Sequence, residues 1–294
     1  MPRIISTFRS SAGEAQYLAA YEAVLKQWPV PCEELSIPTR LGDTHVVASG
    51  PPDAAPLVLL HPAGGGATIW VRNVGPLSTH YRTYAVDTIG ETNKSRLTRP
   101  IGPRRQRQDF AEWMLDLLDA LKIERAHLVG NSFGGFLVLN TVLALRERVG
   151  KAVLISPAAT FAPIPAWAWH FMPANLIGPL IGSKRLLLGA YDWIWQGFPV
   201  DGCMGQLRAM AALHGRPRHW SPTVFGDAEL GAIRTPILLL VGDHEVIYRP
   251  EDAIRRAVRL VPGLKAEIVP HANHIAEYTA ADCVNAAILQ FLAD

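Results

Sequence analysis

Gly130-Asn131-Ser132-Phe133-Gly134, with Gly135 directly after it, surrounds one hydroxyl with residues that lack a Cβ. An apolar run precedes the pentapeptide and another follows, so it falls where a strand passes into a helix. In that context G-x-S-x-G describes a sharp turn that lifts a serine out of a sheet. Side chains two residues to either side would collide, so glycine is needed at both places. The dipole and unpaired amides of the helix that follows favour negative charge developing there. The chemistry this implies is nucleophilic attack by Ser132. The competing reading is a tight turn whose serine only caps the helix.

A serine hydroxyl needs a base to take its proton. Of ten histidines, His274 in "VPHANHIAEY" follows the last expected strand and precedes the last expected helix, which brings it to the same sheet edge as Ser132. His271 is the rival, but it belongs to the strand end and faces the loop or the sheet. The imidazole in turn needs a carboxylate to fix its tautomer. "LLLVGDHEVIYRP" offers Asp243 and Glu245 after a buried strand. Glu245 is the expected acid and Asp243 the residue that caps the loop. Asp87, ending "YRTYAVD", is an outside candidate whose structural role is to tie down the "TIGETNKS" loop. His271, His274 and Glu277 match no metal-ligand spacing, so no metal and no cofactor is expected.

A third element is "HPAGGGATIW", residues 61–70. A glycine-rich loop after a strand can turn amides toward a developing oxyanion, which needs two donors. Phe133 and Ala63 are the expected donors, with Gly64 as the alternative to Ala63. The run is no phosphate cradle: it lacks the Gly-Lys-Ser/Thr of a P-loop, and Ile69 stands where a dinucleotide motif needs glycine. His61 reads as a brace for this loop.

The elements that must hold these residues alternate. "EAQYLAAYEAVLKQW" has helical spacing and ends at Pro29 and Pro31. "EELSIPT" and "THVVAS" read as strands. "PLVLLHP", "YRTYAVD", "AHLVGNS", "KAVLISPA", "PILLLVGD" and "KAEIVPH" read as strands too, mostly as solid apolar runs. Buried parallel strands have that character. "FAEWMLDLLDALKI", "FGGFLVLNTVLALRERV", "PEDAIRRAVRLV" and "ADCVNAAILQFLAD" read as helices. The alternation predicts an α/β fold, a mostly parallel central sheet with helices on both faces. It breaks from 160 to 229, a stretch rich in Trp, Pro and Gly. The expected organisation is a core of 1–159 and 230–294 with a helical lid insertion at 160–229 over the carboxyl edge of the sheet, where ligands bind in such folds.

Composition narrows the function. The 294 residues carry a formal net charge of +2, which excludes the cationic excess of a nucleic-acid binder. The one basic run, "RPIGPRRQRQ" (99–108), reads as a solvated loop. Three widely spaced cysteines argue against a disulfide framework and fit a reducing cytoplasm. The first residues lack the apolar core of a signal peptide. The greasiest region, 171–195, is too interrupted by Pro173, Pro179, Lys184, Arg185 and Asp192 to span a membrane.

On these motifs the chain resembles the α/β-hydrolase superfamily, and more closely the bacterial esterases of the carboxylesterase NP type. "AYEAVLKQWPVP", "THVVASG", "YRTYAVDTIGETNKS", "LLLVGDHEVIY" and "NHIAE" carry the closer likeness nearly end to end. The resemblance implies Ser132 as nucleophile, His274 as base and an acid in the "GDHEVIY" loop. Two positions depart from the superfamily pattern. Pro62 stands where a glycine is usual, so the oxyanion hole must rely on later amides. Asn273 replaces the glycine before the base, as asparagine can where φ is positive. The expectation is a serine hydrolase cleaving small carboxylic esters through an acyl-enzyme, with a carbon–carbon hydrolase of ring-fission products or a non-catalytic small-molecule receptor as alternatives. Gly64, Trp167, Trp169, Phe171 and Trp193 are the expected substrate-binding residues. Phe161, Met172, Trp195 and Trp220 complete the aromatic and apolar character of the insertion.

Overall fold

A computed structural model describes residues 3–165, 173, 174, 177, 178, 181, 183–200 and 202–294. Among these residues one nine-stranded sheet organises the chain. Strands β1 (Cys32–Thr39), β2 (Gly42–Ser49), β3 (Pro56–Leu60), β4 (Arg82–Val86) and the two-residue β5 (Arg96–Leu97) come first, preceded by helix α1 (Ser11–Leu25). Between β3 and β4 lie a 3-10 helix (Ala67–Arg72) and helix α2 (Val74–Ser78). Helix α3 (Gln106–Ala120), strand β6 (Ala126–Asn131), helix α4 (Phe133–Ala144) and strand β7 (Val149–Ile155) follow. Helices α5 (Lys184–Trp195), α6 (Gly202–His214) and α7 (Asp227–Gly231) separate β7 from strand β8 (Ile237–His244). Helix α8 (Pro250–Leu260), strand β9 (Lys265–Asn273) and helices α9 (Ala276–Thr279) and α10 (Ala281–Ala293) complete the order.

The sheet runs β1-β2-β4-β3-β6-β7-β8-β9, with β5 beside β2. β2 pairs antiparallel with β1, β4 and β5, and every pair from β4 to β9 is parallel. The apolar runs make this arrangement stable. In β3, Leu57 and Leu59 face a layer holding Tyr17, Trp70 and Leu77. Val58 and Leu60 face the opposite layer, with Trp113 and Phe136. β6 and β8 divide the same way, Val129 and Leu238 to the first layer, Leu128 and Leu239 to the second. Each such side chain taken from water contributes about 1.5–3 kcal/mol, and strand alternation lets one strand feed both layers.

Several element boundaries differ from the sequence reading. The helix after Ser132 stops at Ala144 rather than Val149, because Val149 is drawn into the sheet as the buried start of β7. A 3-10 turn, Arg146–Arg148, makes the change of direction. Helix α1 begins at Ser11, three residues early, since the Ser10 hydroxyl caps it by accepting from Gly13 N–H at 3.1 Å. Residues 67–70, read as part of the glycine-rich loop, begin a 3-10 helix, and a short α-helix follows it. The basic run is largely exposed, as expected, but from Gln106 it is the start of α3 rather than loop, and its arginines form ion pairs: Arg99 and Arg105 with Asp109, Arg107 with Glu229 at 2.7 Å.

All three cysteines are free. No helix among the described residues is long and apolar enough to cross a membrane. None of the described His, Cys, Asp or Glu residues form a group that could hold a metal ion.

Candidate active site

The carboxyl ends of β6, β8 and β9 lie on one edge of the sheet, with β7 between the first two, and the chain leaves each of them carrying a polar side chain. At the end of β6, Ser132 adopts φ 51° and ψ −113°, a conformation outside the regions natural to a side-chain-bearing residue. The turn is tight enough that a Cβ on Gly130 would stand 2.3 Å from the Gly134 oxygen. A Cβ on Gly134 would stand 2.1 Å from the Leu60 oxygen of β3. The Ser132 hydroxyl makes no capping bond to α4. It lies 2.8 Å from Nε2 of His274 instead.

His274 follows β9 and is buried. Its Nδ1 lies 2.7 Å from Oε2 of Glu245. The other Glu245 oxygen accepts the N–H groups of Val246 and Ile247, both at 2.8 Å. Those two bonds fix the carboxylate, and the carboxylate makes Nδ1 the protonated ring nitrogen, leaving Nε2 to accept from the serine. Asn131, beside Ser132, donates its amide to the His274 carbonyl at 2.9 Å, so the turn and the histidine loop are tied directly.

Asn273 is not held at positive φ. It is a hydrogen-bond hub: its amide donates to the Trp195 carbonyl at 2.8 Å, and its oxygen accepts from Ile275 N–H at 2.8 Å and from the Thr279 hydroxyl at 3.1 Å. A glycine could make none of these bonds.

The remaining candidates fall outside this chain of bonds. Asp243 accepts from His271 N–H at 2.9 Å and Ala272 N–H at 3.0 Å, bracing β8 against β9. His271 is exposed at that brace. Asp87 is buried and accepts from Ala67 N–H at 2.6 Å and Lys94 N–H at 3.1 Å. His61 bridges the loops after β3 and β4, Nδ1 donating to the Pro62 carbonyl at 2.8 Å and Nε2 accepting Thr88 N–H at 2.9 Å.

Glu277 also stands apart, fully buried with both carboxylate oxygens unpartnered. Burial raises its pKa from 4.5 to about 8. The folded state therefore keeps a proton that the unfolded chain releases, and stability falls as pH rises from about 4.5 to about 8. Glu277→Gln imitates the protonated form and should remove that slope. Its melting temperature should stay near wild type at pH 5 and exceed it at pH 8, by a free energy of up to about 5 kcal/mol. Thermal melts of both proteins across this range check it; parallel curves would refute the buried neutral acid.

A cavity of about 580 Å³ opens onto Ser132 and His274. Its floor includes Pro62, Ala63, Gly64 and Phe133, and its far wall comes from the segment between β7 and β8, with Ile164, Tyr191, Ile194 and Trp220. The lining is mainly apolar, but Arg9, Arg216, Glu91 and His219 also reach it. Gly64 lines the cavity, yet its N–H donates to Glu91 Oε2 at 3.0 Å and is thereby engaged. Of the two loop amides considered for the oxyanion, that leaves Ala63. Phe133 N–H begins α4, where the first amides have no partner within the helix.

Trp193 does not line the cavity among the described residues. It is half-buried against the core and beside Ala190, while Tyr191 and Ile194, three apart on the same face of α5, line the cavity instead. Phe161 belongs to the core and Trp195 packs edge-on to Tyr278. Trp167, Trp169, Phe171 and Met172 lie outside the described residues. Arg9, Glu91 and His219 were missed by sequence reading. Nothing in the polar "DTIGETNKS" stretch marks Glu91 as buried; its partners come from distant parts of the chain.

A parallel sheet with three polar side chains hydrogen-bonded in series at its carboxyl edge defines a class of protein, and residues 57–286 match the Alpha/beta hydrolase family: the chain belongs to it. Within that family it is 38% identical over 294 residues to the uncharacterized carboxylesterase nap of Bacillus subtilis (strain 168), covering 94% of this chain and 92% of that one. The crystal structure of naproxen esterase (carboxylesterase NP) from Bacillus subtilis superposes with a TM-score of 0.87 at 36% identity, covering 97% of this chain and 99% of that one. A 2-hydroxy-6-oxononadienedioate/2-hydroxy-6-oxononatrienedioate hydrolase of Paraburkholderia xenovorans (strain LB400) is more distant, at 29% identity over 257 residues, 82% of this chain and 87% of that one. The chain is a hydrolase whose near relatives are carboxylesterases.

Proposed function

We propose that the protein is a serine carboxylesterase acting on small esters with apolar or aromatic groups. The observation that carries the reading is the unbroken series Ser132–His274–Glu245, at 2.8 and 2.7 Å, opening into the cavity. Ser132 Oγ attacks the ester carbonyl as His274 Nε2 takes its proton. Glu245 holds the imidazole in the accepting tautomer and stabilises its charged form. The amides of Ala63 and Phe133 bind the oxyanion. Collapse of the tetrahedral intermediate expels the alcohol, which takes the proton back from His274. Water, activated by His274 in the same way, then releases the acid and frees Ser132. The chain's own groups carry every step.

The segment 160–229 acts as a lid in this reading. It supplies much of the cavity wall, including Ile164, Tyr191, Ile194 and Trp220, and the two apolar sides of the ester pack there. Trp167, Trp169 and Phe171 remain part of the proposed lid. Free cysteines fit a reducing compartment such as the cytoplasm.

Stopped-flow hydrolysis of p-nitrophenyl acetate and butyrate, with fluorophosphonate labelling alongside, tests the reading. A burst of p-nitrophenol equal to the labelled sites is the expected result. Labelling without ester turnover would move the assignment toward carbon–carbon bond hydrolysis. Neither labelling nor turnover would leave a receptor built on the same scaffold.

A further inference from the structure

We propose that Glu91 and His219 form a positioning pair that holds both donors of the oxyanion hole, Glu91 through the Gly64 amide and His219 through the Phe133 ring; this rests on the esterase reading above. Glu91 sits in the loop after β4 with no exposed surface. One of its oxygens lies 2.5 Å from Nε2 of His219 and the other accepts Gly64 N–H at 3.0 Å. The Ala63–Gly64 peptide is thus pinned from one side, which sets the direction of the neighbouring Ala63 amide. Gly64 itself stands at φ +73°, a conformation the loop reaches without a side-chain penalty.

His219 acts on the other donor. Its ring stacks on the Phe133 ring with centroids 4.2 Å apart and planes 14° apart. Phe110 meets the Phe133 ring edge-on at 5.7 Å. The residue whose N–H points at the oxyanion is therefore held by its side chain. His219 is not a second base, because both ring nitrogens are engaged: Nδ1 donates to the Trp220 carbonyl at 3.1 Å and Nε2 faces Glu91. Two acceptors on one imidazole call for the imidazolium form. Burial opposes charge on both partners, but each offsets it for the other, raising the His219 pKa and lowering that of Glu91. Glu91 is fully buried and His219 only slightly exposed, so the pair is stiff: breaking it would strand the buried Glu91 carboxylate.

The backbone around His219 is anchored independently of Glu91's side chain. Arg218 N–H donates to the Gly90 carbonyl at 2.8 Å, and Trp220 N–H donates to Gln106 Oε1 at 2.5 Å. The pair thus ties the segment before β8 to the oxyanion loop at the point where substrate must sit.

The test is steady-state hydrolysis of p-nitrophenyl butyrate, with kcat expressed per fluorophosphonate-titrated serine so that unfolded enzyme does not count. Glu91→Ala should lower kcat about 100-fold with KM changed less than threefold, because the oxyanion forms only in the transition state. Glu91→Gln, which keeps an acceptor for Gly64, should recover most of that loss. His219→Ala should lower kcat about tenfold, and Glu91→Ala/His219→Ala should be no worse than Glu91→Ala alone. An unchanged kcat per titrated serine in Glu91→Ala and His219→Ala would overturn the proposal, as would a raised KM with intact kcat. If Glu91→Ala does not fold, His219→Ala decides alone. A wild type that neither labels nor turns over ester overturns the esterase reading, and the pair's role with it.

Discussion

Ser132→Ala should lower kcat for p-nitrophenyl butyrate by about 10⁴- to 10⁶-fold and abolish the burst, with little change in melting temperature. The size follows from what the hydroxyl does. In the proposed mechanism it is the reacting atom; it lies 2.8 Å from His274 Nε2, and no other described hydroxyl shares that contact. What survives is the rate that the oxyanion amides and the cavity confer on attack by water. Stability should hold because the hydroxyl caps nothing and alanine inherits the same backbone angles. Steady-state assays and calorimetry on the purified variant decide it. Wild-type turnover in Ser132→Ala would remove the nucleophile and the mechanism together.

Glu245→Gln should lower kcat by about 10⁴-fold, while Asp243→Asn should leave it within tenfold and cost stability instead. Glu245 Oε1 accepts two backbone N–H groups, so in the variant the amide oxygen must remain on that side. The NH₂ group then faces His274 Nδ1 and donates to it. His274 is driven into the tautomer with hydrogen on Nε2, which cannot accept from Ser132. Asp243 touches neither histidine ring of the site. It holds His271 N–H and Ala272 N–H, and weakening those bonds loosens β9 by about 1–3 kcal/mol. The pair of variants, assayed for kcat and melted in parallel, reverses its ranking if Asp243 is the acid.

Much of this architecture was legible because it is written locally. Solid apolar runs announce strands covered on both faces, and glycines at 130 and 134 announce a turn with no room for a Cβ. The order serine, carboxylate, histidine along the chain follows from which strand ends neighbour one another. Bonds that join distant residues left no such trace. The Asn131 amide reaches the His274 carbonyl 143 residues away, and either residue alone reads as an ordinary polar neighbour of a site. Asn273 suggested positive φ because sequence shows only that a glycine is replaced, not that three hydrogen bonds replaced it. Glu91 and Arg9 drew no attention, since an acid in a polar loop and an arginine near the first helix are usually solvated. Folding encloses Glu91, while Arg9 stays exposed but reaches the cavity wall: Phe8 bridges to Gly215, and this brings the N-terminal arm there. Trp193 was misplaced for a related reason. A cluster of aromatics indicates a wall of some kind, but only the rotation of α5 decides that Tyr191 and Ile194, rather than Trp193, face inward.

The order of the strands has a consequence in time. Ser132 and His274 are separated by 142 residues, and Glu245 and His274 leave the ribosome near the end of what this chain contributes to the sheet. At about 5–20 residues per second, about 7 to 30 s pass between synthesis of the nucleophile and synthesis of its base. During that interval the serine turn can fold with no base beside it, and its hydroxyl is as inert as any other. On the proposed mechanism, a nascent or prematurely ended chain therefore cannot acylate itself or its surroundings, and reactivity arrives only when the last strand docks.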